Sequence, residues 1–420
     1  MAKRLLLIVF FLLTVTNLLI YINRDKGFEY VQQSTYANLY PNISKGISSI
    51  HIEKDSIAVI DLKGYSPPLK WSVFCNDMIL LQDQFLPLHF SLKENINSYV
   101  LHANDSLVKS ISINLDYSPA ELYKKNGSSV ATNYEIRYCS EPFVTADTAL
   151  VTKWQDPLDY TAAEELNTVK QFITDSLHIQ PTDSTINKIK IIGNYIHQSV
   201  KFSMGIPADS LSKYSVYKQF CLAKNQETKI WCGNIADIFH LFTSAAGIVS
   251  RNIGLSGKKE IFNLGLHAAN ECYLTETGEW AYADITQNIL LLKDSTGKIL
   301  NTVDLYQLKK LNQTGNIILF SSGDSSIKTG LYTDADKKYL WSENEILFPH
   351  PHDPASLYNW SGKLKRYISK RPWLEIYSET TKYDNSKFYL KSYLFHTWLL
   401  TGILMLIAYI FSLNSKRKLK

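Results

Sequence analysis

Cys232, His267 and Asp284 are the side chains of this sequence whose types and settings could carry covalent chemistry. A thiol is a strong nucleophile only as its thiolate, and at an ordinary pKa of about 8.5 little of it is ionised at neutral pH. Facing a helix N-terminus and a histidine, the same thiol can fall to roughly 4, a difference of about 6 kcal/mol. A histidine then serves as base and later as acid, and a carboxylate fixes its tautomer and orientation. The reaction such a set performs is acyl transfer from an amide. In Trp231-Cys232-Gly233-Asn234-Ile235-Ala236-Asp237-Ile238-Phe239 the cysteine stands where a loop turns into an amphipathic helix. The first amides of that helix could hold an oxyanion as well as stabilise the sulfur. Gln226 is a weaker candidate for a side-chain oxyanion donor.

The elements that must position these groups can be read from the pattern around them. Ile235, Ile238, Phe239 and Phe242 mark one face of a helix opening at Cys232, and Gly247 stands where it should stop. Two helices are predicted before it. One starts at the Ser/Thr-x-x-Glu capping pattern Thr161-Ala162-Ala163-Glu164 and carries Leu166, Val169, Phe172 and Ile173; the other follows Pro181 and carries Ile189, Ile192, Ile196 and Val200. After it come strands at 250–255, 268–274 and 280–285, the last two joined by a hairpin turn at Thr275-Glu276-Thr277-Gly278-Glu279. His267 begins one of the paired strands and Asp284 lies near the end of the other, so the hairpin can bring carboxylate and imidazole together. Helices followed by an antiparallel sheet is an α+β order.

These residues resemble the core of the transglutaminase-like superfamily, relatives of the papain-type cysteine proteases. The resemblance covers about residues 150 to 300 and is carried by Cys232 with Ala236 four residues on, Ala245-Ala246-Gly247-Ile248 followed by Ser250-Arg251, His267 with Glu271, and Trp280, Asp284 and Thr286. Ile230 stands where the family often has glycine, and Ala269 where it often has an aromatic residue. The resemblance implies a Cys232, His267, Asp284 triad and a papain-like core of helices packed on an antiparallel sheet; no cofactor or metal is expected. It leaves open whether water or an amine accepts the acyl group. It also leaves open a catalytically silent binding or assembly module, because one fold serves several functions.

Around this core the chain divides. Short alternating runs such as 56–62, 71–74 and 110–115 predict a small all-β, sandwich-like domain at 27–145. The transglutaminase-like part is expected at 146–321, a juxtamembrane region at 322–390, and a basic tail at 414–420. Leu5 to Ile22 is free of charge and long enough to span a bilayer; it reads as an uncleaved anchor within 1–26, a cleaved signal peptide being the other reading. Tyr393 to Leu413 gives a second span, within 391–413. Lys416-Arg417-Lys418 and Lys420, with Lys3 and Arg4, favour cytoplasmic termini and an extracytoplasmic body.

The net charge of +5 in 420 residues is concentrated in those six terminal residues, which leaves the body near −1 and excludes an electrostatic footprint for nucleic acid. The expected partner is a protein or peptide substrate; the oligomeric state cannot be read. Five cysteines without a C-x-x-C pair speak against a zinc or thioredoxin-type site. In an oxidising compartment Cys75 with Cys139 and Cys221 with Cys272 are the expected disulfides, leaving Cys232 free; the alternative is that several are small buried hydrophobes. His240 is expected at a surface or core edge. His350 and His352, among prolines, are expected in a loop without a metal.

Overall fold

The computed structural model describes residues 2–23, 30–42, 45–53, 56–65, 69–105, 108, 110–119, 133–145, 153–154, 163–256, 266–324, 326–333, 345–350, 374–378 and 384–417. The chain is mixed α and β, and its contacts gather it into two units. One holds residues 33–352 with 375–382; the other holds 1–32, 353–374 and 383–420.

In the larger unit, strands Glu345–Pro349, Ser250–Ser256, Leu266–Leu274 and Glu279–Ala283 lie side by side and antiparallel, with Leu374–Tyr377 beyond Glu345–Pro349. The hairpin is set where expected, with Gly278 at φ 72° in its turn. In its register Asn270 faces Ala283, so Asp284 comes opposite Ala269 and shares a face with His267, two residues away. That face also carries Ala269, Tyr273, Trp280 and Tyr282, in a core shared with Ile346 and Phe348. The opposite face carries Cys272, Leu274, Ala281 and Ala283 and is covered by helices.

Those helices are Ala163–Asp175, Thr185–Val200, Val216–Lys224 and Cys232–Ala245. The expected stripe of the last is fully buried, with Ile238, Phe239 and Phe242 at 0% exposure. Gly247 ends it at φ 79°, a conformation that costs a side chain 1–2 kcal/mol or so. Thr161 and Ala162 of the expected capping box lie outside the described residues, as does His352.

Two five-stranded sheets form the sandwich of the N-terminal part. They close on one core in which Ile47, Ile60 and Leu88 of one sheet meet Trp71, Val73, Leu101 and Ile113 of the other. Alternate burial along Trp71–Cys75 is the signature of one face packed inward.

All five cysteines are free thiols, so the expected disulfides do not form. Cys139 and Cys75 belong to strands separated by two others in one sheet. Three steps of about 4.8 Å put them beyond disulfide reach. Cys221 lies on a helix packed against Cys232–Ala245, which itself covers the strand of Cys272. Cys75, Cys139 and Cys272 are buried as small apolar residues: desolvation pushes the Cys75 and Cys272 thiols up, and Cys139 to about 12.

In the smaller unit, helices Ala2–Ile22 and Ser386–Arg417 are each long and apolar enough to cross a membrane. They touch through Trp398 Nε1, which donates to Thr14 Oγ1 at 2.8 Å, and through the stacked rings of Phe10 and Trp398. Gly402 lets Phe10 approach: a Cβ there would stand 3.1 Å from its ring.

Candidate active site

The turn that presents Cys232 is built by a relay of polar groups. Trp231 is extended at φ −111° and precedes the helix, with its carbonyl accepting from the Ile235 N–H at 3.1 Å. Its N–H donates to Asn234 Oδ1 at 3.3 Å, one half of a capping box. Asn234 Nδ2 donates to Gln219 Oε1 at 2.8 Å, and Gln219 Nε2 donates to the Tyr214 carbonyl at 2.9 Å. Upstream, Ile230 exchanges bonds of 2.8 Å with Ser203 and Gly205, so the approach to Cys232 is held as a short parallel bridge. The Ile230 side chain is fully buried.

The helix is pinned to the histidine's strand. Asn270 Nδ2 donates to the Ala236 carbonyl at 3.0 Å and to Asn252 Oδ1 at 2.8 Å, one turn from the thiol. The Cys232 sulfur, partly exposed, hydrogen-bonds the His267 side chain and accepts from the Ala268 and Gly233 amides. His267 is 2% exposed and donates from Nε2 to Asp284 Oδ2 at 2.7 Å, leaving Nδ1 for the thiol. Asp284 is 1% exposed and receives, besides His267, the Tyr282 hydroxyl on Oδ2 at 3.2 Å and the Gln287 N–H on Oδ1 at 3.1 Å. Its own backbone exchanges bonds with Ile289 at 2.7 and 2.8 Å, and His197 Nδ1 donates to the next carbonyl, Ile285, at 2.8 Å.

Burial alone opposes charge at both reacting groups, and specific partners overcome it. The thiol is pushed up by desolvation, yet the His267 hydrogen bond, the Ala268 amide and the His267 charge bring it below its ordinary value. The imidazole is pushed down by burial, yet Asp284 by charge and hydrogen bond, with Cys232 behind it, raises it to about 9. Both directions favour a thiolate–imidazolium pair. Such a pair can attack a carbonyl carbon and return a proton to a leaving amine.

The three residues expected to act together are thus brought together. Gln226 is not with them: it is exposed, at φ 61° in the loop after Val216–Lys224. His240 is buried in the core, its Nδ1 2.8 Å from Ser250 Oγ. His350 is buried too and donates to Glu375 Oε1 at 2.9 Å. Glu271 and Arg251 take no part in the hydrogen bond between His267 and Asp284. They form a fully buried ion pair of 2.6 and 2.8 Å, with the guanidinium 4.0 Å from the Trp280 ring centre and Tyr40, Trp154 and Phe348 around it.

The sequence reading missed Gln219, Asn270 and Tyr282. Ser215 before Val216, Phe220 and Ala223 was the signal for the helix carrying Gln219, and its hydroxyl does cap that helix. Asn270 showed itself only as a polar residue on an otherwise apolar strand face.

No protein-family model matches the chain, and no curated protein matches it significantly. Four solved chains match. Among them is the crystal structure of a candidate cysteine protease from Cytophaga hutchinsonii, 12% identical, covering 73% of this chain and 93% of that one at a TM-score of 0.27.

Proposed function

We propose that the protein is a membrane-anchored thiol enzyme of acyl transfer acting on amide bonds of proteins or peptides. One observation carries this reading: a cysteine at a helix start bonded to a histidine that is itself held by a buried carboxylate at 2.7 Å. Cys232 attacks the carbonyl carbon as a thiolate. His267, protonated at Nδ1, donates that proton to the departing amine, leaving a thioester on Cys232. Water or a second amine, deprotonated by His267, then attacks the thioester and releases the acyl group, giving hydrolysis or transamidation. Asp284 keeps the imidazole in the tautomer that presents Nδ1 to sulfur. The rim supports an extended, partly apolar substrate: Phe202, Ile206 and Trp231 are 68%, 85% and 55% exposed along the bridged segments leading to Cys232. The two apolar helices support a membrane anchor.

The test is the rate at which iodoacetamide alkylates Cys232, followed from pH 10 down to 4 on the detergent-solubilised chain. Reaction that persists well below the range of an ordinary thiol supports the reading. A single inflection near about 8.5 would sink it and leave the binding-module alternative.

A further inference from the structure

The triad as proposed ends at Asp284, but the carboxylate has another side-chain partner. Tyr282 precedes it by two, on the strand Glu279–Ala283 that Asp284 directly continues as a bridge to Ile289, and the phenol O–H reaches forward to Oδ2 at 3.2 Å. Oδ2 is the oxygen that accepts His267 Nε2 at 2.7 Å, whereas Oδ1 is taken by the Gln287 backbone. Tyr282 is 3% exposed, its ring belongs to the core on that face of the sheet, and its backbone N–H is fixed to the Leu300 carbonyl at 2.9 Å.

We propose that Tyr282 is a positioning residue of the thiol site: by donating to Asp284 Oδ2 it sets how strongly that carboxylate holds His267, and so where the imidazolium gives up its proton. This rests on the acyl-transfer reading above and deepens it. A donor on a carboxylate oxygen spreads its charge and weakens that oxygen as an acceptor for another partner. With Tyr282 present, Oδ2 is shared, and His267 stays acidic enough to protonate a leaving amine near neutral pH. Without it, the whole of Oδ2 falls to His267, and the imidazolium becomes a weaker acid. No proton leaves the phenol.

The surroundings keep that donor in place. Burial, with Asp284, Tyr332 and Glu271 facing the phenol, holds Tyr282 far from ionisation, so it donates throughout the working range. Glu271 is in turn neutralised by Arg251. Among the described residues, the other titratable groups facing the site are Cys232 against His267, and His197, whose Nδ1 is tied to the Ile285 carbonyl beside Asp284.

The experiment is Tyr282→Phe in the full-length chain in detergent, with the pH profile of Cys232 alkylation by iodoacetamide read site by site by mass spectrometry. The wild-type profile is expected to show an alkaline inflection near the His267 value of about 9. Tyr282→Phe is expected to move it up by roughly half a unit to one unit, a three- to tenfold shift in proton affinity. In an Asp284→Asn background the same change is expected to move nothing. An unmoved inflection in Tyr282→Phe, with the acid-range reactivity of the wild type intact, overturns the inference while the acyl-transfer reading stands. Wild-type alkylation like that of an ordinary thiol overturns both. If the Phe variant does not fold, a fluorinated tyrosine at 282 keeps the shape and strengthens the donor; it should move the inflection down, and no movement counts against the inference.

Discussion

His267 is where the site's chemistry and its stability meet. Its imidazole is raised from an ordinary value near 6.5 to about 9, against burial and chiefly by Asp284. A group raised on folding adds stability that is complete below about pH 6.5 and lost as pH climbs through about 9. At about 1.4 kcal/mol per unit the loss is up to roughly 3 kcal/mol. Urea unfolding across pH 6 to 10 should therefore show stability falling on the alkaline side, and His267→Gln should flatten that slope. In Cys232→Ala the thiol's part of the shift goes and the Asp284 part remains, so the fall keeps its sign and its onset near pH 6.5 but is smaller and ends at lower pH. The same variant should lose all acyl transfer and change stability by no more than about 1 kcal/mol, since the sulfur is partly exposed. Unfolding of the domain by Cys232→Ala would mark the residue as structural. The three reacting types were legible in the sequence because each had a local context: a helix start, a strand start, a hairpin end. Tyr282 was not, because an alternating Tyr in a strand looks like any inward aromatic until the register places its hydroxyl. Glu271 and Arg251 were legible as pattern only; the structure gives them the different task of joining two strands.

That pair shows what the elements require. Arg251 on Ser250–Ser256 and Glu271 on Leu266–Leu274 sit directly opposite each other, with no exposed side-chain surface at either. Glu271 Oε1 also takes the Tyr40 hydroxyl at 2.9 Å and the Thr302 N–H at 2.7 Å, which ties the sheet to the start of helix Thr302–Lys310. Removing one partner leaves the other charged and buried, a cost of about 3–5 kcal/mol. Arg251→Met should therefore lower unfolding stability by that order, whereas Arg251→Met with Glu271→Gln should recover part of it. If the single variant loses less than about 1 kcal/mol by denaturant titration, the pair does not hold the strands. Elements with strong periodicity, such as Thr185–Val200 and Cys232–Ala245, were readable from spacing alone. Glu345–Pro349 was not: it pairs with Ser250–Ser256 across some ninety residues of chain, and no local pattern encodes a partner that distant. The disulfide expectation failed for the same reason, since strand order in the sandwich, not spacing along the chain, keeps Cys75 from Cys139.

At the scale of the whole molecule the question is which side of the membrane the thiol faces. If both terminal apolar helices cross the membrane, the two ends lie on one side; the terminal lysines and arginines favour the cytoplasm for them, so the acyl-transfer body is proposed to lie outside. The thiols themselves report on this. Cys75, Cys139 and Cys272 are buried, so Cys221 and Cys232 are the two partly exposed ones, and Cys221→Ala leaves Cys232 as the accessible label site. A charged, membrane-impermeant maleimide applied to intact cells should then label the protein, and Cys232→Ala in the same background should abolish the label. Labelling that appears only after the cells are permeabilised would place the body in the cytoplasm. There reducing conditions would keep all five thiols free without help from burial, and the substrate would have to be an intracellular protein. With the body outside, three thiols must be protected from oxidation by burial alone. Their raised or fully desolvated state meets that demand, and Cys232, ionised and accessible, is left as the site most open to oxidative loss. Hydrogen peroxide should accordingly remove Cys232 alkylation first in that variant, and dithiothreitol should restore it as long as oxidation has stopped at the sulfenic stage.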